Sequence, residues 1–208
     1  MSAPESMSTD QLNSASVTRN DVAAVVRPLL GEAVSGDVTF VRQANGHWEL
    51  AVIDGLGHGE QAAVAAAAVK DQLERDDWND LPLLLLRCDT AARSTRGVVL
   101  ALVRVETATG RCQHAAIGNV DVVSGGGARR IAPLARPGIV GAGIQPPRIT
   151  RWTLERGDVV VIHSDGISRS FDLEHIAAEN AEQSALMLLA AYGKPHDDAG
   201  CVVMHFDA

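Results

Sequence analysis

The chain has 208 residues, enough to bury a full core in one compact domain, and its 46% hydrophobic and 21% charged content excludes a disordered or fibrous class. A net charge of -8, with no run of Lys or Arg to form a basic face, argues against nucleic acid or an anionic membrane as partner, and aromatics at 3% leave few platforms for stacking bases. No apolar stretch approaches the ~20 residues of a spanning helix, and none near the N-terminus resembles a signal segment, so the expected location is the cytoplasm.

Residues 1 to 16 are polar and read as a disordered tail; from 17 to 208 apolar segments and turn signals alternate, as expected of a single domain. The first clear unit runs from Asp37 to Asp54, where two strand-like segments flank Asn45-Gly46, a dipeptide suited to the positive φ angles of a two-residue hairpin turn. Gly55-Leu56-Gly57-His58-Gly59 follows, and then an Ala-rich run from Glu60 to about Arg75 predicts a helix. Pro82, a favoured first-turn residue, predicts a second helix from Leu83 to Ala92. Between Gly97 and His163, short Val- and Ile-rich segments such as Val98 to Val105 and Asp158 to His163 are separated by Gly/Pro clusters and predict strands. A helical segment over Leu173 to Ala191 and a last strand over Cys201 to Phe206 complete the order. Helices grouped between blocks of strands point to an α+β fold with helices packed on antiparallel sheets, not to regular βαβ alternation.

Cys88, Cys112 and Cys201 are odd in number and form no CxxC pair, so neither a disulfide framework nor a zinc site is expected. The chemistry lies with aspartates. An unslipped hairpin at Asn45-Gly46 places Asp37 directly opposite Asp54, where Cβ atoms stand ~4.5 to 5.5 Å apart and like charges repel unless a cation lies between them. The glycines after Asp54 let the backbone turn sharply and bring a carbonyl up to a ligand. Asp165, in Ser164-Asp165-Gly166, follows an apolar strand, and Asp197-Asp198 stands just before the last one. Each signal alone reads more readily as an ordinary turn or strand start than as a ligand, because these are common turn residues. As a set they are acidic residues at strand ends, each beside loop-favouring residues. Oxygen donors without a Cys pair or clustered His select hard cations, Mg2+ or Mn2+, over zinc or copper. His58, His163 and His196 neighbour the acidic motifs without metal-ligand spacing and read as structural or supporting groups. Ser164 lacks the elbow of a nucleophilic serine and reads as a strand-end hydrogen-bonding residue.

Taken in order, Ser35-Gly36-Asp37, Asp54-Gly55-Leu56-Gly57-His58-Gly59, Ile117-Gly118-Asn119-Val120, His163-Ser164-Asp165-Gly166 and His196-Asp197-Asp198-Ala199 give the chain its resemblance to a known family. It resembles the bacterial SpoIIE-type branch of the PP2C (PPM) serine/threonine phosphatases, and within it the short, free-standing stressosome phosphatases. The resemblance implies an αββα sandwich of two antiparallel sheets flanked by helices, with two divalent cations, Mn2+ or Mg2+, at one edge. It also implies that Asp54 bridges both cations, that Asp37 and the Gly55 carbonyl complete one site, and that Asp165 and Asp197 complete the other. Asp198, where eukaryotic relatives often carry Asn, is a further candidate. Ala199-Gly200 departs from the family's apolar-Thr pair and removes a hydroxyl, and the His58 imidazole bears on access or metal preference. No residue matches the phosphate-binding arginine of eukaryotic members. The implied activity is hydrolysis, by metal-activated water, of phosphoserine or phosphothreonine on a STAS-domain or stressosome-type protein of a partner-switching stress response. Two other readings stand beside it: a catalytically silent docking module of the same fold, and a phosphatase of a small phosphorylated metabolite.

Overall fold

The computed structural model describes residues 22–126 and 129–207, so the tail expected over 1–16 lies outside the described residues. The elements are β1 (Val22–Arg27), β2 (Asp37–Ala44), β3 (His47–Gly55), α1 (Glu60–Arg75), α2 (Leu81–Ala92), β4 (Val98–Glu106), β5 (Arg111–Ile117), β6 (Asp121–Gly125), β7 (Thr150–Thr153), β8 (Asp158–His163), α3 (Leu173–Ala177), α4 (Ala181–Tyr192) and β9 (Ala199–Phe206). They form one four-stranded sheet, β1-β9-β8-β6, and one five-stranded sheet, β2-β3-β4-β5-β7. Every named strand pair is antiparallel.

Strand periodicity of two sorts the core into three layers. Trp48, Leu50 and Val52 of β3, Val99, Ala101 and Val103 of β4, Val160 and Ile162 of β8, and Val202 and Met204 of β9 meet between the sheets. Their alternate neighbours Ala51, Ile53, Leu100 and Leu102 pack under α1 and α2, while Val159, Val161, Cys201 and Val203 pack under α3 and α4. Both faces of the central strands are buried, which explains their unbroken apolar runs. The result is the expected αββα sandwich.

The β2–β3 turn has Asn45 at φ 50° and Gly46 at φ 72°, as the dipeptide predicts. Helix α1 lies close to its sheet because the buried face begins with Ala62, Ala65 and Ala66. Helix α2 starts at Leu81, two residues before the expected point, because the Asp80 side chain accepts the Leu83 N–H at 2.9 Å and caps it. The helix expected over Leu173 to Ala191 is two helices: Asn180 accepts the Gln183 N–H at 2.9 Å and starts α4 afresh. Strand β9 begins at Ala199, earlier than expected, and β1 was not singled out from the sequence. Cys88, Cys112 and Cys201 are buried and free. Among the described residues no helix is long and apolar enough to cross a membrane.

Candidate active site

In the β2–β3 ladder Asp37 pairs with Asp54, in the register the turn dictates. The next step out carries a Gly55 N–H to Gly36 carbonyl bond of 3.1 Å, so Asp37 and Asp54 form a non-hydrogen-bonded pair, the kind in which opposed side chains stand closest. Alternation along β3 turns Asp54 to the same face as Leu50 and Val52, toward the layer between the sheets. Gly55 is required by packing: a Cβ there would stand 2.2 Å from the Ala62 carbonyl oxygen. This lets the first turn of α1 close over the strand end that carries Asp54.

The other sheet supplies Asp165 and Asp197. Asp165 follows β8, and the Asn119 amide, in the loop between β5 and β6, donates to its Oδ2 at 2.6 Å. Gly166 lies against the Asp198 backbone, where a Cβ would meet the carbonyl oxygen at 1.7 Å, so the β8 and β9 ends are locked together. Arg27 of β1 holds the segment bearing Asp197, donating to the carbonyls of Lys194 and, at 3.3 Å, Asp197. Asp198 is buried, and its two oxygens accept the N–H groups of Leu29 at 2.8 Å and Gly36 at 2.9 Å. Its carboxylate thereby ties the loop before β2 to the start of β9.

The electrostatics show these groups sharing one field. Burial raises Asp37 well above the ordinary carboxylate range, Asp54 raises it further, the Ser164 hydroxyl opposes the shift, and Asp198 and Asp197 add to it. Burial, followed by Asp165, Asp197 and Asp198, pushes Asp54 up to about 7. Burial and then Asp165 also raise Asp197. Among the described residues no three His, Cys, Asp or Glu side chains form a ready-made metal cage. The aspartates are neighbours in charge without closing on one point, as mutually repelling anions do. All the donors are carboxylate or carbonyl oxygens, the set that suits a hard dication.

The histidines divide by burial. His163 is buried edge-on to Phe171 and its Nδ1 lies 2.9 Å from the Ser164 carbonyl oxygen, whereas His58 is exposed with Nδ1 2.6 Å from Glu32 Oε1. Two residues given no role from the sequence stand at the site. Asn119 holds Asp165, and its place in the Ile117-Gly118-Asn119-Val120 motif was the available signal. Arg96 is exposed, and its Nη1 lies 2.8 Å from where a Cβ on Gly57 would stand, against the glycine loop that follows Asp54. Nothing local in the sequence marks it.

Two stacked antiparallel sheets with helices outside match the fold of PP2C phosphatase domains. Residues 44–207 match the family of Stage II sporulation protein E (SpoIIE), and the chain belongs to that family. It is a PP2C-type serine/threonine phosphatase. It is 27% identical over 139 residues to the phosphoserine phosphatase RsbX of Bacillus subtilis (strain 168), covering 66% of this chain and 70% of RsbX. A chain solved in work on the bacterial stressosome as a modular system adapted to control secondary messenger signalling is 34% identical, with a TM-score of 0.84 over 88% of this chain and 97% of that one. The fold of RsbX in complex with magnesium superposes with a TM-score of 0.78 at 22% identity, over 91% of this chain and 98% of that one.

Proposed function

We propose that the chain removes phosphate from phosphoserine or phosphothreonine on a STAS-domain protein of a stressosome-type, partner-switching pathway in the cytoplasm. Two divalent cations, Mn2+ or Mg2+, would be held by Asp37, Asp54, the Gly55 carbonyl, Asp165 and Asp197. The observation that carries this reading is the opposed pair Asp37 and Asp54 on one sheet, lying in the same field as Asp165 and Asp197 from the other. When bound, such cations supply an activated water and neutralise charge at phosphorus during in-line displacement. The chain's own part is to hold the carboxylates, through Asn119, Arg27 and the Asp198 clamp, and to meet the substrate. Arg96 makes no hydrogen bond or ion pair among the described residues, so its guanidinium is free to meet a phosphate approaching the loop over Gly57.

The relatives RsbX, a phosphoserine phosphatase, and the stressosome chain support a protein substrate. Two cavities of about 300 and 340 Å3 are lined by residues such as Ile117, Arg136 and Ile144 in one and Trp48 and Met204 in the other, and Asp37, Asp54, Asp165 and Asp197 line neither. The test is hydrolysis of p-nitrophenyl phosphate and of a phosphorylated STAS-domain protein with Mn2+, comparing wild type with Asp54→Asn and Asp165→Asn. Both variants are expected to lose nearly all turnover on both substrates. Metal-independent turnover, or unchanged rates in the variants, sinks the proposal; turnover of p-nitrophenyl phosphate with none on the phosphoprotein transfers it to the metabolite class.

A further inference from the structure

Ser164 is not among the groups expected to touch a cation, yet its hydroxyl joins the two sheets at the site. It lies just beyond β8, and its Oγ stands 2.5 Å from Oδ2 of Asp37 at the start of β2, both residues being buried. Gly200 of β9 determines which way that hydroxyl points. The Gly200 N–H donates to Ser164 Oγ at 3.1 Å, and the Gly200 carbonyl accepts the Ser164 N–H at 3.0 Å. The hydroxyl proton then has two acceptors in reach, Asp37 Oδ2 at 2.5 Å and the Gly200 carbonyl at 3.5 Å. The shorter contact takes it, and that contact is charge-assisted once a cation keeps Asp37 ionised. Gly200 also leaves the room this needs, since a Cβ there would stand 3.3 Å from both Cβ and Oδ2 of Asp37.

We propose that Ser164 is a positioning residue that ties Oδ2 of Asp37 back into the wall between the sheets, so that Asp37 offers a cation Oδ1 alone, and that this single-oxygen grip favours Mg2+ and Mn2+ over Ca2+. The inference rests on the metal-centre reading above. Its chemistry is that of ligand count: Ca2+ gathers six to eight oxygens and readily takes both oxygens of a carboxylate, whereas Mg2+ demands near-octahedral, one-oxygen contacts at about 2.0 to 2.1 Å. Freed from Ser164, Asp37 can turn both oxygens to the ion.

The test is calorimetric titration of the full chain with Mg2+, Mn2+ and Ca2+ in phosphate-free buffer, beside thermal melts. Ser164→Ala is expected to weaken Mg2+ binding about 10-fold while Ca2+ binding holds or tightens, collapsing the preference. Ser164→Thr keeps the hydroxyl and keeps the wild-type ratio. If Ser164→Ala does not fold, Ser164→Cys, which retains the shape and weakens the donor, answers the same question. A Mg2+ to Ca2+ ratio unchanged in a folded Ala or Cys variant overturns the inference alone; a wild-type chain that binds none of the three ions overturns the metal-centre reading and the inference with it.

Discussion

Asp37 and Asp54 face each other at the open end of the β2–β3 hairpin, two carboxylates on neighbouring strands with no cationic side chain among the described residues paired to either. Such an arrangement costs stability in the ionised state, since burial and like charge both oppose it. A bound dication removes that cost.

The first prediction follows from the sign of the Asp54 shift. Its value rises from 3.8 to about 7 on folding, so between those values the folded chain keeps a proton that the unfolded chain has released. Stability of the metal-free chain therefore falls as pH rises through that window, with the full loss present above about 7. In thermal melts with a chelator, the chain should melt lower at pH 8 than at pH 5, and Asp54→Asn should flatten the difference. Mn2+ binds the deprotonated form, so it should raise the melting temperature more at pH 8 than at pH 5. A pH slope that survives Asp54→Asn intact would place its origin elsewhere.

The hairpin was legible in the sequence because its cause is local: Asn45 and Gly46 accept positive φ, the loop length follows, and the register that opposes Asp37 to Asp54 follows from the loop. The apolar run over Leu50 to Ile53 likewise announces a strand buried on both faces. Strand β1 was not legible, because Val22–Arg27 pairs with Ala199–Met204 at the other end of the chain and no turn links them. The break between α3 and α4 was legible in principle: Asn180 is a favoured capping residue, and the apolar periodicity on either side concealed it. Convergence of Asp165 and Asp197 on the hairpin end depends on how two sheets stack, which no local pattern encodes.

Asn119 is expected to act through Asp165. With its amide 2.6 Å from Asp165 Oδ2, it holds that carboxylate much as an outer hydrogen-bond partner orients a metal ligand. Asn119→Ala should weaken Mn2+ binding, or turnover at limiting Mn2+, by about 10- to 100-fold. Saturating Mn2+ should recover part of the rate, which separates this loss from a failure of the chemistry. Titration calorimetry and initial rates against Mn2+ concentration make the check; an unchanged Mn2+ dependence would assign Asn119 a purely structural part.

Arg96 should show itself in substrate binding. A charge-assisted contact to phosphate is worth roughly 1.5 to 3 kcal/mol, so Arg96→Ala is expected to raise KM for p-nitrophenyl phosphate by about 10-fold or more and to weaken inhibition by inorganic phosphate in parallel. Arg96→Lys should recover only part, since an ammonium cannot make the forked contact of a guanidinium. Mn2+ binding should be unchanged. Steady-state kinetics decide, and a fall in kcat with KM intact would contradict a role in holding the ground-state phosphate.

Asp89 governs a different part of the molecule, the glycine-rich segment beside the smaller of the two cavities. It lies buried in α2, and its Oδ1 accepts the N–H groups of Gly141, Gly143 and Ile144 at 2.8, 3.0 and 3.2 Å, while Arg93 stands 3.6 Å from Oδ2. Burial pushes its carboxyl upward, but the three amides and Arg93 together outweigh it and hold the group below its ordinary value of 3.8. A lowered value in the folded chain contributes stability that is present above 3.8 and is lost as pH falls through the folded value. Asp89→Ala should therefore cost on the order of 3 kcal/mol at pH 7, since three amides lose a charged acceptor in a buried place. The deficit relative to wild type should shrink in strong acid, where the native carboxyl is itself protonated. Urea unfolding at pH 7 and pH 3 measures both halves of the claim. Because Gly141 and Gly143 hold positive φ angles of 108° and 87°, the segment lacks a regular ladder to fall back on, and limited proteolysis should cut the variant there first. A variant as stable and as resistant as wild type would show that the β4 contact, the paired bonds of Val98 and Val140 at 3.0 and 2.9 Å, suffices to hold this segment without Asp89.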